Sequence, residues 1–200
     1  MAGYLCPAGA DKPDYTICPQ GYYCELTTDY TVERTVQKPC PAGTVGLMTG
    51  AASEHQGCGQ CEAGYYCPEG SDDHTDFPCP NGYYCPSGTE YEFQYPCPAG
   101  TFFYRDIVAS PEAGAISAAD CDPCTLGNYC VAGTSVETPC PAGYYCPAMT
   151  ERADQFPCPP GTYRSTTGAN ALSQCNGSGG APCPAGAYCP EGSSNYSLCP

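Results

Sequence analysis

The heptapeptide Cys140-Pro-Ala-Gly-Tyr-Tyr-Cys146 recurs along the chain and limits how the chain can fold. Close copies occupy residues 18–24, 61–67 and 79–85, and weaker copies end at Cys130 and Cys189. Proline followed two residues later by glycine is a turn signal, because proline presets φ at position i+1 and glycine tolerates positive φ. Two tyrosines and a cysteine then favour a short extended segment, with one tyrosine on each face.

The 20 cysteines follow one repeating order. An order of six cysteines begins at Cys40, restarts at Cys97 and restarts again at Cys158, each time with a Cys-Pro-x-Gly-Thr sequence and a longer loop. This order divides the chain into a partial cysteine-rich module at 1–39, modules at 40–96 and 97–157, and an incomplete module at 158–200. Seven residues separate Cys175 from Cys183, where the other modules have two, so we expect a looser junction there.

The composition indicates that covalent cross-links order this chain. Leu, Ile, Val and Phe make only 20 of its 200 residues, and 24 Gly and 23 Pro disfavour long helices. Burial alone therefore cannot offset the conformational entropy, whereas a disulfide closing a loop of about 15 residues contributes about 3 kcal/mol. The predicted fold is a set of small disulfide-rich repeats with short β-strands and turns, no large sheet and little helix. One helical turn is predicted in residues 113–119.

The charge and the cysteine content limit the location and the classes of function that fit this chain. Disulfides persist outside the cytosol, which predicts an extracellular or cell-surface location. A net charge of −15 with six basic residues argues against nucleic-acid binding. No run of 18 apolar residues occurs, so we expect no membrane insertion in this segment. Residues 1–6 lack the pattern of a secretory signal, and the chain is interpreted as a mature product or a segment of something longer.

Metal and catalytic chemistry find weak support in the sequence. The Cys-x-x-Cys pairs Cys58/Cys61 and Cys121/Cys124 resemble zinc knuckles, but each pair already belongs to the six-cysteine order. We therefore expect no metal and no other cofactor.

The two histidines and one acidic loop are the other candidates for chemistry. His55 and His74 lie in no catalytic motif, so we expect exposed loop histidines and no enzymatic activity. Asp72, Asp73 and Asp76 could bind calcium weakly, but without EF-hand spacing a solvated acidic loop is the better interpretation.

Sugar attachment is predicted at two asparagines. Asn176-Gly-Ser178 and Asn195-Tyr-Ser197 match the N-glycosylation sequence, and Asn176 is the better candidate because it lies in the Gly/Ser-rich insertion. Residues 165–167, Ser-Thr-Thr, could carry O-glycans.

The order Cys-Pro-x-Gly-Thr, a loop, Cys-x-x-Cys and then Gly-Tyr-Tyr-Cys resembles the cysteine-rich modules of tumour necrosis factor receptors. It is closer still to ephrin-receptor-like cysteine-rich repeats. The resemblance implies an elongated rod of tandem modules in which each contacts only its neighbours. It also implies pairing of the first cysteine with the second, the third with the fifth and the fourth with the sixth. The bridges so implied are Cys40–Cys58, Cys61–Cys79, Cys67–Cys85, Cys97–Cys121, Cys124–Cys140, Cys130–Cys146, Cys158–Cys175 and Cys183–Cys199.

Four cysteines remain outside that scheme. Cys6 and Cys24 would pair, which leaves Cys18 and Cys189 as candidates for an intermolecular disulfide.

Two functions fit these observations. The leading hypothesis is an extracellular structural repeat that forms or decorates a surface fibre, flagellar hair or coat. Its partners would be head-to-tail copies of itself or adjoining repeats of a longer chain. The alternative is a ligand-binding segment of a receptor ectodomain, in which residues 102–105 (Phe-Phe-Tyr-Arg) and residues 107–119 contact other surface proteins.

Reduction should unfold this chain, because the cross-links replace an apolar core. Mild thiol treatment is expected to abolish resistance to a broad-specificity protease, measured by gel electrophoresis against an unreduced, alkylated control. Undiminished protease resistance after full reduction would contradict the prediction.

Overall fold

The computed structural model describes residues 3–5, 16–26, 35–105, 113–177 and 179–200. These residues fall into two compact units. The first unit comprises the described residues within Met1–Pro80, Tyr84–Gln94 and Asp106–Ser117. The second comprises the described residues within Asn81–Tyr83, Tyr95–Arg105 and Ala118–Pro200.

Short antiparallel strand pairs make up the first unit. The pairs are β1 (Tyr4–Leu5) with β2 (Thr16–Ile17), β3 (Tyr22–Leu26) with β4 (Thr35–Pro39), and β5 (Thr44–Gly46) with β6 (Cys58–Gln60). A four-residue helix, α1 (Glu54–Gly57), precedes β6, and a 3-10 turn covers His74–Asp76.

The second unit has the same construction. Its pairs are β7 (Thr101–Phe102) with β8 (Asp122–Pro123), β9 (Asn128–Tyr129) with β10 (Thr138–Pro139), β11 (Thr162–Arg164) with β12 (Gly180–Pro182), and β13 (Ala187–Tyr188) with β14 (Ser197–Leu198). Further 3-10 turns cover Ala118–Asp120 and Leu172–Cys175. The predicted fold class, disulfide-rich repeats of short strands with little helix, is confirmed.

The helical turn predicted for residues 113–119 starts later than expected. Ala115 forms a β-bridge with Tyr84, so its backbone is committed to strand-like pairing. The helical residues are Ala118–Asp120 instead.

A β-hairpin that starts with Cys-x-x-Gly is the smallest repeating element. Among the described residues there are nine such hairpins, and they lie within 18–39, 40–60, 61–78, 79–96, 97–123, 124–139, 140–157, 158–182 and 183–198. In each turn the glycine has positive φ, as in Gly143 at 86°. The next residue closes the turn, as where Tyr144 N donates to Pro141 O at 3.2 Å. Proline thus stands at the first turn position, one place earlier than predicted, and glycine at i+2 makes the turn type II.

Within each unit, main-chain hydrogen bonds join successive hairpins. Hairpins 40–60 and 61–78, in the first unit, share three bonds of 2.8–2.9 Å: Gly43 N to Cys67 O, Gly70 N to Cys40 O and Gly46 N to Ser71 O. Hairpins 140–157 and 158–182, in the second unit, share the equivalent three: Gly143 N to Arg164 O, Gly168 N to Cys140 O and Cys146 N to Ala169 O. We call this set of bonds the joint. Because it uses only backbone atoms, it does not depend on which side chains face outward.

Nine disulfides lie among the described residues, and they are of two kinds. Six short bridges join cysteines six residues apart: Cys18–Cys24, Cys61–Cys67, Cys79–Cys85, Cys124–Cys130, Cys140–Cys146 and Cys183–Cys189. Three long bridges join cysteines 17 to 24 residues apart: Cys40–Cys58, Cys97–Cys121 and Cys158–Cys175.

The long bridges are those implied by the family resemblance, but the short ones are not. The implied pairs Cys61–Cys79, Cys67–Cys85, Cys124–Cys140, Cys130–Cys146 and Cys183–Cys199 are wrong, since each of these cysteines except Cys199 is bonded within its own heptapeptide. The reason is geometric. The turn folds the heptapeptide back on itself and brings its two end Cα atoms to 5.7–5.9 Å, inside the range that a disulfide spans.

The cysteines left outside the implied scheme also pair differently. Cys24 bonds Cys18, so the Cys6–Cys24 bridge is wrong, and Cys6 itself lies outside the described residues. Cys189 bonds Cys183. Cys18 and Cys189 are therefore not available for the predicted intermolecular disulfide.

One position decides which kind of bridge a hairpin makes. Six residues after its first cysteine, a short-bridge hairpin has its second cysteine, whereas the long-bridge hairpins have Gly46, Phe103 or Arg164. The residue after the turn glycine differs in parallel. It is Thr in all three long-bridge hairpins, where its hydroxyl donates to a carbonyl, as in Thr44 Oγ1 to Pro41 O at 2.6 Å.

Sulfur and small side chains fill the interior. Most of the fully buried side chains are half-cystines, accompanied by Ala51, Thr89, Thr150 and Ala169 at 0–1% exposure. The exposed side chains include many large apolar ones, such as Leu198 at 74%. The cross-links thus lie where an ordinary domain would place Leu and Val.

Gly100 and Gly161 offer a matched test of close packing at the turns. Both stand in Cys-Pro-x-Gly-Thr turns, with φ of 84° and 82°. A Cβ on Gly100 would lie 2.6 Å from the carbonyl oxygen of Met149, whereas a Cβ on Gly161 would meet nothing within 4 Å. Both alanine variants should lose about 1–2 kcal/mol for left-handed φ, and Gly100→Ala about 1–3 kcal/mol more for overpacking.

Denaturant unfolding with the disulfides intact measures this difference. Equal losses in Gly100→Ala and Gly161→Ala would show that turn packing contributes nothing beyond φ.

Candidate interaction surfaces

The first unit contains a groove with a volume of about 580 Å³. We call it the acidic groove. Residues from four successive hairpins line it: Gln20, Val45, Gly46, Leu47, Gln60, Glu62, Ala63, Asp72, Asp73, His74 and Ser87. Its volume falls within the roughly 300–1,000 Å³ that ligand sites usually have.

Side-chain amide bonds hold the groove in shape. Gln20 Nε2 donates to Gly46 O at 2.9 Å and to Asp72 O at 2.8 Å, which ties the segment after Cys67 to strand β5. Ser87 Oγ donates to Cys61 O at 2.7 Å from the other side. Both N–H groups of Gln20 and the hydroxyl proton of Ser87 are therefore used within the protein.

Negative charge dominates the acidic groove. Glu62, Asp72 and Asp73 are exposed, and the lining contains no Lys or Arg. His74 is the one titratable base there, with Nε2 2.9 Å from Glu62 Oε2 and its ring edge-on to Tyr65 at 4.9 Å. Hydrogen bonds from the Thr75 backbone N–H and hydroxyl lower the pKa of Asp73 below its ordinary value of 3.8.

A second, smaller concavity of about 340 Å³ lies in the second unit. Its lining is mostly apolar: Phe102, Tyr104, Ser135, Val136 and Glu137. Tyr104 and Val136 are 61% and 64% exposed, although both are large apolar side chains. The structure thus brings part of the predicted 102–105 cluster to a surface, while residues 107–112 of the other predicted segment lie outside the described residues.

The cysteine pairs considered for zinc are held in disulfides. Cys58 bonds Cys40 and Cys61 bonds Cys67, and the Cys121/Cys124 pair is divided in the same way. One group of three potential ligand atoms within 4.8 Å occurs among the described residues, formed by Cys124, Cys130 and Glu137. Because its two sulfurs are bonded to each other, neither is a thiolate that could ligate a metal.

The acidic loop and the histidines are placed as follows. Asp72 and Asp73 face the acidic groove, whereas Asp76 does not line it. The three carboxylates do not form a ligand cluster of the kind found at Cys124. His55 is exposed in α1, as expected, but His74 is half-buried, and its Nε2 contacts Glu62 Oε2 at 2.9 Å.

The predicted modification sites are accessible. Asn176 and Asn195 are both exposed, and Asn195 Oδ1 accepts a hydrogen bond from Tyr196 N at 2.9 Å. Ser178 of the first sequon lies outside the described residues. Of the cysteines that the structure describes, Cys199 alone is unpaired, and it is exposed.

Several residues of the acidic groove carry no signal in the sequence. Gln20 and Gln60 stand at variable positions of repeated motifs, and Leu47 belongs to none. They come together only because successive hairpins are joined. The Gln20 bonds span 26 and 52 residues along the chain, so no local pattern could reveal them.

Comparison with known proteins matches a small part of this chain. No protein-family model matches it. A 53-residue stretch is 40% identical to part of ABC transporter G family member 25 from Oryza sativa subsp. japonica. The match covers 26% of this chain and 5% of that protein, so the chain spans a small fraction of the relative's length. Among the described residues there is no helix with the length and apolar character needed to cross a membrane.

The Asp73 carboxyl gives a pH-dependent test of the groove's geometry. Thr75→Val removes the hydroxyl donor and keeps the N–H, so the pKa of Asp73 should rise toward its ordinary value without reaching it. Because the pKa is depressed in the folded state, the stabilisation exists above the unfolded pKa and is lost as pH falls through the folded one.

NMR titration of the Asp73 carboxyl carbon measures the change. Thr75→Ser keeps the hydroxyl and should leave the midpoint unchanged. An unaltered midpoint in Thr75→Val would show that the hydroxyl bond is absent in solution.

Proposed function

We propose that this chain is an extracellular structural repeat that forms or decorates a surface fibre, flagellar hair or coat. The observation that carries the proposal is the joint. The same backbone bonds recur between successive hairpins in both units, whatever the outward side chains are. A joint made only from backbone groups can be repeated many times, which is what a structural array requires.

Head-to-tail association would use this same joint, and the covalent link predicted for Cys18 and Cys189 is not part of it, because both are internally paired. Cys199 N donates to Gly186 O at 2.9 Å, as Cys183 N donates to Gly161 O at 2.8 Å. Hairpin 183–198 therefore presents its backbone as the other hairpins do. An adjoining repeat or a second copy would dock there by main-chain hydrogen bonds, as in strand addition to an exposed edge.

The disulfides support the extracellular part of the proposal. Nine bridges fit an oxidising compartment, and reduced cytosolic conditions would remove most of what orders the chain. N-glycans at the exposed Asn176 and Asn195 would add hydration to a surface rich in exposed apolar side chains.

The rice match supports the version in which adjoining repeats belong to one longer chain. In ABC transporter G family member 25, the 53 matched residues are 5% of the protein, so a stretch similar to this one is embedded there in a much longer polypeptide.

A second candidate function is a ligand-binding ectodomain segment. The mostly apolar concavity around Tyr104 and Val136 favours it, because large apolar side chains exposed beside a concavity often mark a protein contact. No catalytic role is part of either proposal.

Electron microscopy of the purified full chain tests the structural role. The variant Cys199→Ser should be used beside the wild type, so that polymers cannot arise from oxidation of the exposed thiol. Regular polymers in both proteins, with assembly that increases with concentration in light scattering, are expected. Dispersed single molecules at all concentrations would overturn self-association and favour the ectodomain alternative.

A further inference from the structure

We propose that the acidic groove binds a basic, extended peptide segment of another protein, with an arginine or lysine seated between Asp72 and Glu62. This site is distinct from the structural role proposed above, because the side chains that would contact the peptide form none of the joint bonds.

The charge of the groove requires a cationic occupant. Three carboxylates line it, and the base beside them is His74, whose Nε2 lies 2.9 Å from Glu62 Oε2. Elsewhere in the first unit, Lys38 is the one Lys or Arg among the described residues, and it is already paired with Glu25 at 2.8 Å. No Lys or Arg of the described residues lines this surface, and a partner with positive charge is complementary to it.

The hydrogen-bonding groups of the acidic groove also favour a positively charged ligand. Both N–H groups of Gln20 already donate to Gly46 O and Asp72 O, so Gln20 can offer a ligand only its acceptor Oε1. Ser87 has donated its proton to Cys61, and the carboxylates accept only. A guanidinium or ammonium group, which donates and never accepts, matches a surface in which acceptors predominate.

The apolar part of the lining indicates more than an isolated ion. Val45 is 9% exposed and forms part of a small buried cluster, whereas Leu47 beside it is 60% exposed. A lysine or arginine stem lies on such apolar surface while its charged end reaches the carboxylates. Neighbouring apolar residues of an extended segment would cover Leu47 in addition.

A metal ion fits the groove less well than a peptide. Asp72, Asp73 and Glu62 do not bring ligand atoms within 4.8 Å of one another, as a metal site would. One oxygen of Asp73 is also committed to the Thr75 N–H and hydroxyl. Carboxylates spread along a groove of about 580 Å³ suit a ligand with several contact points.

Titration with synthetic peptides tests the proposal on the full chain. The probe is acetyl-Gly-Leu-Arg-Leu-Gly-amide, followed by ¹⁵N-labelled NMR at low ionic strength, where screening is weak. Shifts should concentrate at Gln20, Leu47, Gln60 and Asp72. Replacing arginine by glutamine in the probe should weaken binding about tenfold or more, the effect of one lost charge-assisted hydrogen bond. Replacing both leucines by glycine should also weaken it.

Matched variants separate the site from general attraction to an acidic protein. Glu62→Gln with Asp72→Asn removes two charges inside the groove, and Glu69→Gln with Glu191→Gln removes two exposed charges outside it. The groove variant should lose about tenfold in affinity. The control should stay within about twofold of the wild type, since exposed charges that do not line the groove are screened by solvent and salt.

Three results would overturn the proposal. They are equal weakening in both variants, equal binding of the glutamine peptide, or shifts in the groove with calcium chloride and none with the peptide. An unchanged amide spectrum in the absence of peptide verifies that each variant is folded.

Discussion

The close approach of one turn to another is the constraint on which the rest of this structure depends. At Gly43, a side chain would lie 2.7 Å from the carbonyl oxygen of Gly88, and φ at Gly43 is 81°. Only glycine satisfies both conditions, and the same pair of conditions recurs at Gly100. The backbone groups around such turns then come close enough to form the joint. The Cys-x-x-Gly sequence therefore recurs through the chain, while the loops between its copies differ in length and composition.

The turn, and not the gain from restricting the unfolded chain, decides which cysteines pair. In the chain-entropy model, a bridge closing seven residues contributes about 2.3 kcal/mol, and one closing nineteen, as in the implied Cys61–Cys79 pair, about 3.2 kcal/mol. The chain thus forgoes about 1 kcal/mol at each short bridge by that estimate. It does so because the turn fixes the two cysteines of one heptapeptide at bonding distance, as in Cys61–Cys67 with Cα atoms 5.9 Å apart. Local geometry outweighs the longer loop.

The repeating parts of the fold were predictable from the sequence, and the bridge pattern only in part. Turn glycines and short strands follow from local residue types, so the fold class could be anticipated. Pairing taken from a family resemblance was right for the long bridges and wrong for the short ones, because the sequence of a cysteine pair that flanks a turn does not show which cysteines bond. A sequence difference between short-bridge and long-bridge hairpins was nonetheless present. Phe103 and Arg164 stand where a short-bridge hairpin has its second cysteine, and Thr101 and Thr162 stand where most short-bridge hairpins have tyrosine. The acidic groove could not be anticipated at all, since Gln20 meets Asp72 across 52 residues and only the order of joining brings them together.

The backbone joint allows the sequence and the number of hairpins to vary in evolution. Most side chains that face outward can be substituted freely, because the joint consists of backbone atoms. Gln20 and Ser87 are exceptions, since their side chains also bond neighbouring hairpins. Every hairpin also carries its own two half-cystines, whether the bridge is short, as in residues 140–157, or long, as in residues 158–182. Copying or deleting a whole hairpin therefore keeps the number of thiols even and presents the neighbours with the same donors and acceptors. Length in this architecture is open to variation by gene duplication, with no interface to be redesigned.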